Sequence, residues 1–155
     1  MEKKVRKLID SGKTISAMES CTGGLLASVI TDCSGASGIF SGAFVTYSNN
    51  AKIAQGVPAE IIDRYGVYSV ETAAAMAGAC AEAYGSDIGV GITGSLGRKD
   101  PDNPDSEVGK VFYGIIACGK TVSSELSVPE ELTSRHEMKE YVVNEVLDKI
   151  LELLR

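Results

Sequence analysis

The stretch Thr14-Ile-Ser-Ala-Met18-Glu19-Ser20-Cys21-Thr22-Gly23-Gly24-Leu25-Leu26 decides the reading of the chain. Thr14 to Met18 reads as a short strand. Gly23 to Asp32 reads as a helix with Leu25, Leu26, Val29 and Ile30 on its buried side, and Gly35 breaks it. Between them lies a strand-to-helix turn, Glu19 to Gly24. Such a turn holds a small side chain at a sharp bend, and free N–H groups point outward from the helix start. It suits an exposed nucleophile, an oxyanion site or a phosphate site, and equally a plain helix start. The GxxxxGK[ST] pattern of a P-loop is absent, and so is the GxSxG of an α/β-hydrolase elbow.

Outward from this turn, Val5, Leu8 and Ile9 have helical spacing before Ser11-Gly12. Ile39 to Tyr47 is rich in β-branched and aromatic residues and reads as a second strand. A short helix is expected from Asn49, and another from Pro58 to Tyr65 with the proline in its first turn. Ser69 is a good N-cap for a helix over Val70–Tyr84, with Glu71 in its first turn. The alanines and Gly78 of that helix permit close approach to a neighbour. Ile88-Gly-Val-Gly-Ile92 alternates β-branched residues with glycine, the pattern of a buried strand with tight backbone contact on one face. Val111–Ala117 and Val122–Val128 form a hairpin around Gly119-Lys120. Val143, Val146, Leu147, Ile150, Leu151 and Leu154 mark one face of a long final helix. The expected fold class is α/β: a three-layer α/β/α sandwich around a mixed, mostly parallel five-stranded sheet. No linker or repeat divides residues 1–155, which are read as one domain.

Composition narrows the function. The 155 residues are 44% hydrophobic and 23% charged, enough apolar material for a core without a disulfide or metal staple. A net charge of −6 opposes nonspecific binding to nucleic acid or anionic membranes. No apolar run approaches the roughly 20 residues of a membrane span, and the start has no signal-peptide core. A cytoplasmic location is expected. Cys21, Cys33, Cys80 and Cys118 form no Cys-x-x-Cys pair, so neither a disulfide framework nor a zinc site is expected. Cys33, Cys80 and Cys118 read as core packing. The one histidine, His136, makes any Ser-His-Asp triad depend on it alone, and it has no motif partner. No metal or other cofactor is expected.

A second segment completes the chemistry. In Phe44-Val-Thr-Tyr47-Ser48-Asn49-Asn50-Ala51-Lys52 a strand end delivers a phenol, a hydroxyl, an amide and, one helical turn later, an amine. With histidine nearly absent, a serine nucleophile needs another base. A desolvated lysine serves, and a tyrosine can relay the proton. The plain alternative is a strand-end aromatic and a solvated helix lysine. Cys21 competes with Ser20 as nucleophile, since a thiolate is stabilised at a helix start.

Taken together, these segments resemble the CinA C-terminal domain family, whose stand-alone members are nicotinamide-nucleotide amidases. The resemblance rests on Met18-Glu-Ser-Cys-Thr-Gly-Gly24, Gly35-Ala-Ser-Gly-Ile-Phe-Ser-Gly-Ala-Phe-Val-Thr-Tyr-Ser-Asn-Asn-Ala-Lys52, Tyr68-Ser-Val-Glu-Thr-Ala-Ala-Ala-Met-Ala77 and Thr93-Gly94. It implies an amidohydrolase that converts nicotinamide mononucleotide to nicotinate mononucleotide and ammonia. By motif position Ser20 is then the nucleophile, Lys52 the base and Tyr47 the relay. Glu19, Cys21, Thr22, Gly23, Gly24, Ser48, Asn49, Thr93 and Gly94 are the expected substrate-binding residues. The resemblance further implies a small-molecule nucleotide substrate, a homo-oligomer and the same sandwich fold. Two alternatives use the same residues: an amidase with a different substrate, and a non-catalytic nucleotide- or partner-binding domain.

The chain departs from the family chiefly in one loop. Where the family has a TGxAGPxGG loop, Thr93-Gly94-Ser95-Leu96-Gly97 is followed by Arg98-Lys-Asp-Pro-Asp-Asn-Pro-Asp105. Glycines permit close backbone approach to a ligand; charged and proline residues do not. Gly97 to Glu107 is expected to be a solvated surface loop. Its acidic residues Asp100, Asp102, Asp105 and Glu107 fit no calcium loop, because Pro104 falls on a ligand position and the required glycine is missing. Arg98 and Lys99 can supply cations for a phosphate. Arg135 matches a family arginine, and Lys139 stands where a second is usual.

Overall fold

The computed structural model covers residues 1–155. In chain order the elements are α1 (Glu2–Asp10), β1 (Ile15–Glu19), α2 (Leu25–Thr31), a 3-10 turn (Ala36–Gly38), β2 (Phe40–Val45), α3 (Asn49–Ala54), α4 (Ala59–Tyr65), α5 (Val70–Tyr84), β3 (Ile88–Gly94), β4 (Lys110–Ala117), β5 (Lys120–Ser127) and α6 (Arg135–Leu153). The five strands form one sheet in the order β2-β1-β3-β4-β5. β1 pairs parallel with both β2 and β3, and β4 runs antiparallel between β3 and β5. Four strands therefore point one way and β4 the other.

Every residue of β1 is buried, which explains why its apolar run carries no amphipathic signal. Ile15 and Ala17 face a core built with Leu8 of α1, Leu26 and Ile30 of α2, and Val143 and Leu147 of α6. Met18 faces the other way, into a smaller core with Val57, Ile62, Met76 and Cys80 under α4 and α5. Helices thus cover both faces of the sheet in three layers.

The glycine pattern of β3 has a direct cause. A β-carbon on Gly91 would lie 2.1 Å from the Ala73 carbonyl oxygen, and one on Gly89 2.2 Å from that of Ala77. On β4, Gly114 meets the same Ala73 oxygen at 2.6 Å. α5 rests on these backbones with no side chain in between.

Three expectations change. α2 begins at Leu25 rather than Gly23, because Gly23 and Gly24 both hold left-handed angles (φ +62° and +94°) that end the turn before the helix starts. The β4–β5 turn is Cys118-Gly119, one residue earlier than expected, with both residues at positive φ. Cys118 is consequently exposed at the tip and packs into no core, whereas Cys33 and Cys80 are buried.

Topology fixes where a ligand belongs. From β1 the chain crosses to β2 on one side and then returns to β3 on the other, so the connections diverge at the carboxyl end of β1. In open α/β sheets that divergence leaves a crevice for ligands. Ser20 is the first residue past it.

Candidate active site

Ser20 is 7% exposed, and its Oγ lies 3.1 Å from the Nζ of Lys52, which is 1% exposed. Lys52 comes from α3, whose start is fixed by the Ser48 hydroxyl accepting the Ala51 amide at 3.1 Å. Its Nζ also donates to the Thr46 carbonyl at 2.8 Å. Burial lowers the Lys52 pKa to about 8, against opposing fields from Cys21 and Asp100. The lysine is therefore no solvated helix residue. It is a desolvated amine in contact with a hydroxyl.

Cys21 borders the same site, but burial pushes its thiol up to about 12, so it carries no thiolate at neutral pH. Between the two candidate nucleophiles, the geometry favours Ser20.

The turn is held from within. Glu19 is completely buried, and its Oε2 accepts from the Thr22 hydroxyl (2.6 Å) and the amides of Gly24 and Leu26 (both 3.1 Å), while Oε1 accepts from the Ala27 amide (2.9 Å). The amides expected to point outward at the helix start are thus occupied by a carboxylate of the chain itself, which also complements the helix dipole. Glu19, Thr22, Gly23 and Gly24 shape the turn and do not line the cavity beside it. The amides of Cys21 and Thr22, immediately after Ser20, donate no hydrogen bond within the protein.

That cavity has a volume of about 730 Å³ and is lined by Ser20, Cys21, Tyr47, Ser48, Asn49, Lys52, Thr93 and Gly94, together with Arg135 and residues of the 95–103 loop. Thr93 is buried and donates to the Val67 carbonyl at 3.1 Å. Tyr47 is 66% exposed at the mouth, where its hydroxyl accepts from Arg135 Nη2 at 3.1 Å. It makes no hydrogen bond to Ser20 or Lys52, so the proton relay expected of it has no direct path in this arrangement. Arg135 also donates to the Leu96 carbonyl, joining the start of α6 to the loop. Lys139 lies near Gly23, outside the cavity. His136 is exposed beside Glu140 and far from any triad role.

The 97–107 loop is not simply solvated. Asp100 Oδ2 accepts from the Tyr68 hydroxyl (2.6 Å) and from Asn103 Nδ2 (2.7 Å), and Oδ1 accepts from the Asp102 amide (2.9 Å). The Asp100 amide donates to Ser106 Oγ at 2.8 Å. The loop folds over the cavity and is tied to the segment preceding α5. Tyr68 is not among the expected site residues, although it stands just ahead of the Ser69 cap and opens one of the segments that carry the resemblance.

Against known proteins, residues 1–154 match the CinA C-terminal domain, and the chain belongs to that family. It is 42% identical over 125 residues to a CinA-like protein of Kosmotoga olearia, an alignment spanning 80% of this chain and 30% of that protein. The chain thus corresponds to about a third of such relatives. Among solved structures, the competence/damage inducible protein CihA of Agrobacterium tumefaciens superposes with a TM-score of 0.85 at 30% identity, covering 99% of this chain and 95% of that one. A competence or damage-inducible protein of Enterobacter asburiae shares the fold, with a TM-score of 0.91 at 23% identity over 99% and 98% of the two chains.

Proposed function

We propose that the chain is a serine amidohydrolase that deamidates nicotinamide mononucleotide. The observation that carries the reading is the buried Ser20 Oγ–Lys52 Nζ contact of 3.1 Å at the sheet's divergence point. Neutral Lys52 takes the hydroxyl proton as Ser20 Oγ attacks the carboxamide carbon. Of the two free amides after Ser20, that of Cys21 belongs to a residue lining the cavity and is the donor available to the oxyanion. Lys52 returns its proton to the departing nitrogen, ammonia leaves, and an ester to Ser20 remains. Water, deprotonated by Lys52, then hydrolyses that ester to the nucleotide acid. Tyr47 acts at the mouth with Arg135, positioning the distal end of the substrate; a relay would require it to leave Arg135.

The charge of the cavity supports a nucleotide. Although the chain carries −6 overall, four cationic side chains (Lys52, Arg98, Lys99 and Arg135) and only two acidic ones (Asp100 and Asp102) line it. A phosphate finds its partners there. No helix is long and apolar enough to cross a membrane; the reading itself puts the chain in the cytoplasm with its substrate. A homo-oligomer belongs to the same reading, as the family resemblance implies.

Ammonia release from nicotinamide mononucleotide tests the reading. Wild type should release it, and Ser20→Ala should reduce turnover about 10³-fold or more while binding the nucleotide within a few-fold of wild type. Equal turnover by both proteins would remove Ser20 from the mechanism. Binding with no turnover by either would favour a non-catalytic nucleotide-binding domain.

A further inference from the structure

The loop that distinguishes this chain carries a charge the proposed chemistry does not use. Asp100 lies in the wall of the cavity that holds Ser20 and Lys52. Its carboxylate is fixed by three neutral donors: the Tyr68 hydroxyl, Asn103 Nδ2 and the Asp102 amide. These hydrogen bonds also hold the group below the usual carboxylate range, and hence ionised at neutral pH.

None of the chain's ion pairs includes Asp100. Lys52, Arg98, Lys99 and Arg135 border the same cavity, yet none neutralises it. Asp100 lines the same cavity as Ser20 and Lys52, and its field acts on the lysine. The cavity therefore has cations suited to a phosphate and, besides the exposed Asp102, one carboxylate that hydrogen bonds hold in place and that forms no ion pair. That distribution matches a zwitterionic ligand with a cationic ring bearing the carboxamide and a phosphate at its far end.

Resting on the amidase reading, we propose that Asp100 is a specificity-determining residue that receives the positive charge of the substrate's pyridinium ring. It selects nucleotides whose ring is cationic over those whose ring is neutral. Tyr68 and Asn103 position the carboxylate.

The test compares nicotinamide mononucleotide with its reduced dihydropyridine form, which keeps the carboxamide, ribose and phosphate but has an uncharged ring. Affinities are read by calorimetry on the full chain carrying Ser20→Ala, which stops turnover. With Asp100 present, the oxidised form should bind about 10-fold tighter than the reduced form. Adding Asp100→Asn should bring the two to parity by weakening only the oxidised form, and Asp100→Glu should recover much of the preference. A preference that survives Asp100→Asn, or an equal loss for both ligands, would overturn the proposal and leave Asp100 as a loop tie. If wild type releases no ammonia and neither form binds, the amidase reading falls and this inference with it. Ammonia release with an unchanged preference removes this inference alone.

Discussion

The cavity has a floor and a roof built on opposite principles. The floor is Ser20 and Cys21, carried on the Glu19–Gly24 turn, whose internal donors converge on one buried carboxylate and whose position is set by fully buried β1. The roof, residues 97–107, is a polar loop held by a few side-chain bonds around Asp100 and otherwise largely exposed. The floor cannot change without disturbing the core, so it suits chemistry that demands fixed geometry. The roof can be rewritten at little cost to folding, so it suits the choice of ligand.

Breaking the floor should produce the largest effect. Glu19→Ala strands a hydroxyl and three amides around a buried void, and a loss of about 3–5 kcal/mol in unfolding free energy is expected. Denaturant titration measures it; a loss under 1 kcal/mol would show that water replaces the carboxylate and that the floor is no more rigid than the roof. Lys52→Met should abolish turnover yet stabilise the chain. A lysine whose pKa falls from 10.5 to about 8 on folding is penalised when charged. That penalty is fully present below pH 8 and relieved as pH rises from 8 towards 10.5. Allowing for the Thr46 carbonyl left without its donor, a gain of about 1–2 kcal/mol at pH 7 is expected. A lower melting temperature would contradict it.

The same titration sharpens the comparison kinetically. Only neutral Lys52 accepts the Ser20 proton, so kcat/KM should rise about tenfold per pH unit below an inflection near 8 and then level off. A flat profile from pH 6 to 9 would exclude Lys52 as the base. The smallest effect belongs to the roof. Tyr68→Phe removes one tie to Asp100, and unfolding free energy should change by only about 1 kcal/mol or less while KM rises. A loss as large as that of Glu19→Ala would erase the distinction between the two regions.

What was legible in the sequence divides along the same line. The Ile88-Gly-Val-Gly-Ile92 alternation announced tight contact on one face, and the contact is with α5. The long helix over Val70–Tyr84 was readable from its Ser69 cap, which accepts the Thr72 amide at 3.1 Å. Residue chemistry offered Lys52 as a base for a serine, but only the family resemblance singled out the pair with Ser20, 32 residues away, because nothing local fixes their distance. Glu19 was misplaced among the ligand-facing residues for a geometric reason. Whether a carboxylate at a strand end turns outward or caps the next helix depends on two left-handed glycines, whose angles no periodicity reveals. The roof read as a polar stretch, and its docking on Tyr68 depends on a pairing between distant segments.

The close seating of α5 has a consequence for how this cleft can evolve. The helix begins just after Tyr68, and its first turns lie directly on Gly91 and Gly114. A methyl group at either position would lift that end of the helix and carry the Tyr68 wall away from Ser20. The aperture of the cleft is thereby calibrated by hydrogens on the far side of the sheet's surface, in residues that never meet a ligand. Substitutions there would change what fits before they changed what reacts.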